Sequence, residues 1–495
     1  MHFYLENAKD DILKAATYLA EKLSSTDGYA EAMKTIVPLY LEKNEVDLAA
    51  ELADNVHDPF VRDYLLMLVA EKCSEIDDDE YALQISEAID DKAIQVETLE
   101  KIALRKIEKG SIEKALKIAE MLYTPERIFK EVALKYAENG NVEKAKSFIE
   151  QILIPSDKVL ALQSLSEFLL KQNKTEEALQ ILNQACDQIE ELDYEADKIR
   201  TLEEIANLFI RIGQKDKAIE LLEKARQKAE KLEGIDRESL LSIIALGFLN
   251  AGSLELADRT LDLISDKIII ASTLISFARY FYENGESTEA LDALEEAYQI
   301  QKSASAKEIR STKEVFQLLS FIAVEFAKFG KGERAIEIAQ QIGDENEQFK
   351  ALSQIAQVFA LQNKNEMVDQ AIKAINQEDG KLFALIAVSD ASKAQNRMDE
   401  ALNSLQLALE LVETVPQLSS RVSIYNEIAE RFLNYGQIDK AREILLESIK
   451  TAALIRDESL ASIALALSSK IYEKAGFTLN DSEKNILYQI LSKQR

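Results

Sequence analysis

Leu202-Glu203-Glu204-Ile205-Ala206-Asn207-Leu208-Phe209-Ile210-Arg211-Ile212-Gly213-Gln214-Lys215-Asp216-Lys217-Ala218 is the stretch that decides the fold. Leu202, Ile205 and Phe209, with the small Ala206 between them, share one face of a helix, because residues three and four apart are neighbours there. Gly213 then supplies the left-handed conformation at which a helix stops and the chain turns back. Ala218 sets a small side chain near the start of a second helix, so the two helices can approach closely. One such hairpin has too little core to stand alone.

The pattern recurs along nearly the whole chain. Its turn residues are Asn44, Asp77, Gly110, Gly140, Asn173, Gly213, Gly252, Gly285, Gly330, Asn363, Asn396, Gly436 and Gly476, with spacings of 33, 33, 30, 33, 40, 39, 33, 45, 33, 33, 40 and 40. Seven positions before the turn stands Ala in nine units and Ser in three; four before it stands Phe or Tyr in nine; five after it stands Ala in 11. The five wide spacings keep a small residue twelve positions after the turn (Ala185, Ala225, Ala297, Ala408, Ser448), which predicts second helices extended by about two turns and an array alternating short and long hairpins. Asp58-Pro59 and Thr124-Pro125 offer an N-cap followed by proline at the first helical position.

This set of positions resembles the tetratricopeptide repeat (TPR) family, with the turn glycine as fifteenth residue of the unit and Leu202, Ile205, Ala206, Phe209, Gly213, Ala218 and Ala225 on the matching places. The resemblance covers about residues 30–476. It implies an all-α, TPR-like α-solenoid, a right-handed superhelix of about 13 antiparallel hairpins. Capping helices are expected at 1–28 (an amphipathic helix from Leu5 to Leu23) and 477–495 (with a polar outer side), and two runs of repeats at 29–302 and 313–476. Between the runs, 303–312 is a hinge or a long inter-helix turn. Members that clamp a carboxylate carry Lys at the fifth place and Asn at the ninth; here Asn207 holds the ninth and Glu203 the fifth.

Composition supports long helices and narrows the chemistry. Gly and Pro supply only 14 and 5 of 495 residues, which leaves little room for hairpins or phosphate-cradling loops. The net charge is −29, and residues 1–100 hold 24 acidic against 8 basic side chains. A field of this sign repels phosphate backbones and anionic lipid, so neither nucleic acid nor membrane is an expected partner. No secretory leader or membrane span is apparent, and Cys73 and Cys186 are too far apart for a metal or redox motif, so a cytoplasmic location is expected. The two histidines, His2 and His57, give no raw material for a triad or a zinc site. Glu75-Ile76-Asp77-Asp78-Asp79-Glu80 fails as a calcium loop, because Ala82 and Ala88 stand where glycine and a carboxylate are required; it is expected to be a solvated acidic corner. No enzyme, metal or cofactor is expected.

What remains is surface. In a TPR-like array the first helices line the concave side, and their outward residues fall thirteen, ten, six, three and two before the turn. The early units place Glu31, Tyr64, Glu71, Glu97, Glu100 and Glu108 there. The middle units place Arg200, Asn207, Arg211, Asn250, Arg279, Tyr282, Gln317, Lys350 and Gln357, types suited to gripping an extended peptide's backbone and carboxylates. The sequence therefore points to a non-enzymatic protein- or peptide-binding scaffold. The alternative is a ligand-sensing regulator that acts through a change in superhelix shape. The oligomeric state is not readable from the sequence.

Overall fold

In the computed structural model, residues 3–304 and 311–492 are described. Among them are 28 α-helices, two 3-10 turns and no strand. All thirteen turn residues picked out by sequence have positive φ, from 58° at Asn44 to 86° at Gly213, and each sits between two consecutive helices. The backbone N–H beyond the turn closes it: that of Gln214 donates to the Phe209 carbonyl at 2.9 Å.

The small-residue positions do what the pattern requires. Ala206, Ala218, Ala278 and Ala290 have no exposed surface, and Phe209, Phe248 and Phe359 are fully buried beside such sites. Where Ser replaces Ala, its hydroxyl is spent on a backbone carbonyl: Ser166 Oγ donates to Ala178 (3.1 Å) and Ser389 Oγ to Ala401 (2.8 Å) on the partner helix, and Ser469 Oγ to Ala466 (2.7 Å) of its own. A buried hydroxyl thus stays satisfied at no cost in interhelical distance.

Five second helices are long, as the spacings predict: Thr175–Gln188, Lys215–Ala229, Ser287–Ser303, Met398–Leu411 and Ile438–Ala452, against eight or nine residues in helices such as Ile112–Ala119 and Val46–Asp54. They do not alternate with short ones. Two adjacent pairs and a single long helix follow the order of the spacings themselves. Asp58 caps the helix Pro59–Glu75 through the Val61 N–H (2.9 Å), but at Thr124-Pro125 the helix begins one residue later, at Glu126, with Pro125 in the cap position.

The chain forms two compact units, one of Met1–Leu122 with Asn376–Arg495 and one of Tyr123–Ile375. The division is not at 303–312. Residues 305–310 of that stretch lie outside the described residues, and the helices on either side of it, Ser287–Ser303 and Thr312–Lys328, pack on one another within the second unit.

The first unit joins the two ends of the chain. The leading segment is two helices, Leu5–Ala8 and Ile12–Ala20, because the Asp11 carboxylate caps a new start through the Lys14 N–H. The helix Ile12–Ala20 lies on Glu458–Lys474, where Ser462 Oγ donates to the Ala16 carbonyl (2.8 Å), and Asp481–Ser492 packs beside it. Ser459 Oγ reaches the Gly28 carbonyl at 3.0 Å. The two expected capping segments thus pack on one another's end of the chain.

Candidate interaction face

Within the second unit the first helices Glu126–Glu138, Pro155–Lys171, Glu195–Ile212, Gly234–Asn250, Lys267–Glu283, Thr312–Lys328 and Glu345–Leu361 pack side by side in chain order. All nine residues singled out by position lie on these helices, and none is buried. The side chains of Asn250, Gln317 and Gln357 have no hydrogen-bond partner among the described residues.

The cations, by contrast, are engaged. Arg211 Nη1 stands 2.6 Å from Glu167 of the preceding first helix, and Arg279 Nη2 2.9 Å from Glu325 of the following one. Lys350 pairs with Glu347 one turn away (3.0 Å), and Arg200 lies 3.8 Å from Asp197. The Arg211 pair is about half exposed on both sides, so it contributes little stability and a ligand carboxylate could exchange with Glu167 at small cost. The Arg279 pair differs, because Glu325 is only 2% exposed and takes Lys328 Nζ (2.9 Å) as its second cation. Reversing the charge at Arg279 would set a second carboxylate against the buried Glu325 and leave it Lys328 alone, so this arginine is a structural residue as well as a candidate contact. The Tyr282 ring stacks on Phe329 with centroids 4.2 Å apart and planes at 12°, and its hydroxyl donates to the Lys328 carbonyl at 3.4 Å.

The exposed pairs share a register. Glu167 stands six before its turn and Arg211 two before the next. In the first unit Glu430 and Lys474 repeat that spacing at 2.6 Å, and so do Lys470 and Glu42 at 2.9 Å. The last of these links the final first helix to the earliest one, so the junction of the chain ends copies the junction between ordinary neighbours.

Sequence position alone missed the carboxylates behind the face. Gln163 Nε2 donates to Glu204 (3.1 Å), and Asn207 Nδ2 to Glu203 (2.5 Å). Burial pushes the Glu203 carboxyl up to about 7; the Asn207 hydrogen bond works against this and the neighbouring Glu204 charge adds to it. The place where clamp-type repeats carry lysine is thus held by an acid half-protonated near neutrality.

Elsewhere the chemistry is structural. Burial raises the Cys73 thiol to about 11 and raises that of Cys186, so neither is activated as a nucleophile. Among the described residues no group of three or more His, Cys, Asp or Glu could hold a metal ion, and no helix is long and apolar enough to cross a membrane. The acidic run at 75–80 is not merely solvated. Asp77 takes Lys109 at 2.6 Å; Asp79 takes Lys114 at 2.6 Å and also the buried Lys106. The Lys109 hydrogen bond holds Asp77 below the usual carboxylate range. For Asp79, burial pulls the other way and is outweighed by its two lysines.

Left-handed turns at every anchor, closed over small residues on both helices, settle the local architecture. The hairpins are one antiparallel two-helix unit repeated along the chain. No family model matches the chain, and no curated protein matches it. Among solved structures it is similar to a putative kinesin light chain with TPR-like repeats from Podosopora anserina (18% identity, 46% of this chain and 100% of that one, TM-score 0.24). It is also similar to the apo quorum sensor NprR of B. thuringiensis (14%, 65% and 99%, TM-score 0.27) and to a Rap protein complexed with competence and sporulation factor (15%, 66% and 98%, TM-score 0.27).

Proposed function

We propose that the protein is a non-enzymatic scaffold that holds a protein or peptide segment along the first-helix face of residues 123–375. The observation that carries this reading is the set of amides at Asn250, Gln317 and Gln357. They stand on three first helices of the same run, at the end of Gly234–Asn250, near the start of Thr312–Lys328 and within Glu345–Leu361, and their side chains have no hydrogen-bond partner among the described residues. Unpaired amides on such a face can pair with the N–H and C=O groups of an extended chain, and an arginine already seated on a carboxylate can take another in its place. Nothing in this arrangement makes or breaks bonds.

The test compares partner recovery by quantitative mass spectrometry for wild type, Arg211→Glu with Tyr282→Ala, and the second-helix control Glu220→Lys. The face variant is expected to lose at least tenfold of the specific partner with its melting temperature nearly unchanged, because the Arg211 pair is exposed. Equal recovery from the face variant and wild type would remove this face from the site.

A further inference from the structure

A second surface lies at the edge of the same unit. In the turns leading into the first helices Glu126–Glu138, Pro155–Lys171 and Glu195–Ile212, and at the start of Gly234–Asn250, large apolar side chains stand in water. Tyr123 is 99% exposed, Leu153 84% and Tyr194 71%, with Ile154 and Ile235 partly exposed beside them. These four helices pack in sequence, so their leading ends are separated by roughly a helix-packing distance of 8–10 Å each. The row therefore runs for about 30 Å, the length of a 20-residue helix. An aromatic side chain can bury roughly 150–250 Å², so the row presents on the order of 500 Å² in all, toward the upper end of what a monomer leaves uncovered. Core packing does not explain it, since these side chains touch water rather than the hairpins.

The charges around the row are mostly of one sign. Asp157, Glu191, Asp193, Glu233 and Asp236 flank it with no basic partner among the described residues. Lys130, Lys158, Lys198 and Arg237 are tied to Glu131 (3.3 Å), Glu150 (2.7 Å), Glu195 (3.0 Å) and Glu238 (2.8 Å), and Lys231 has no acidic partner among the described residues. We propose that this row is a docking surface for a basic amphipathic helix, one whose apolar stripe covers Tyr123, Leu153 and Tyr194 while lysines or arginines on its flanks meet the acids. A second copy of this chain would set acid against acid, and an anionic membrane would be repelled for the same reason. The surface is independent of the first-helix face, which shares none of its residues.

The probe is a fluorescent 18-residue helical peptide with leucines at i, i+3, i+4 and i+7 and lysines elsewhere, beside a counterpart with glutamates in place of lysines. Anisotropy titrations at near-physiological salt are expected to show binding of the lysine peptide and none of the glutamate peptide. The triple variant Tyr123→Ser, Leu153→Ser, Tyr194→Ser removes no charge and should weaken binding at least tenfold with unchanged helicity. Asp193→Asn with Asp236→Asn should also weaken it, and Arg211→Glu should leave it intact. Equal affinity of the triple variant and wild type would mean attraction by net charge alone and would overturn the proposal. So would a dimer that the triple variant dissociates, or adsorption to anionic lipid vesicles that it abolishes.

Discussion

Asp79→Ala will destabilise the unit that contains it by about 3 kcal/mol, because it strands the Lys106 ammonium. Lys106 is 2% exposed; besides Asp79 it has only the Ser74 carbonyl at 3.2 Å and Asp77 at 3.6 Å, the latter already shared with Lys109. Removing one member of a buried pair leaves the desolvation of the other unopposed, whereas removing both leaves only a volume to fill. The double variant Asp79→Leu, Lys106→Met should therefore recover most of the loss. In thermal unfolding the single variant is expected to lower the transition by roughly 10 °C, from about 2–4 °C per kcal/mol for a unit of this size. A single variant within 2 °C of wild type would show that Lys106 is solvated, and that the acidic run at 75–80 plays no part in stability.

Glu203 gives the second large effect, and its sign is opposite to that of an ordinary ion-paired carboxylate. Its folded-state pKa, near 7, lies above the unfolded value of about 4.5. The folded protein therefore holds the proton more tightly than the unfolded chain. That contribution to stability is fully present below pH 4.5 and is lost as pH rises through 7. Glu203→Gln keeps an oxygen for Asn207 and never ionises. Relative to wild type the variant should gain about 2 kcal/mol between pH 5 and 7.5; the full shift would give somewhat more, reduced here because the side chain keeps contact with water. Melting curves of the two proteins that stay parallel across this range would contradict the assignment. If the first-helix face grips a carboxylate, the variant should also bind it more tightly above pH 7, where wild type presents a negative charge at that point.

Much of this molecule could be read before its structure. Gly, Asn and Asp at thirteen positions announced thirteen left-handed turns because few other residues tolerate that backbone. Ala206 and Ala218 announced close helix contact because only small side chains allow it. The long second helices followed from spacing alone, since a hairpin that keeps its small-residue contacts can absorb extra residues only at its far end. The outward placement of Arg211, Asn250 and Gln357 followed from helical periodicity.

Contacts distant in sequence were not legible. Arg279 looked like a free cation because its partner, Glu325, lies in the next hairpin and is buried by packing that no local pattern encodes. The packing of the two ends on one another was hidden because nothing near Ala16 points to Ser462. The break before Ile12 was missed although Asp11 is an N-cap residue type, because the apolar spacing from Leu5 to Leu23 masked it. Glu203 looked like a charged groove residue, and only its burial shows that it is half-neutral near pH 7.

The central claim is that the first-helix face of residues 123–375 is where a partner lies. Photo-crosslinking tests it most directly, with a benzophenone side chain placed singly at Asn250, Gln317 or Gln357 and, for comparison, at Glu220 on a second helix. The same partner segment should be captured from all three first-helix positions, in an order along its sequence that follows the order of the helices, and not from Glu220. Capture from Glu220 alone, or none from any first-helix position by a protein that still retains its partner, would contradict the account.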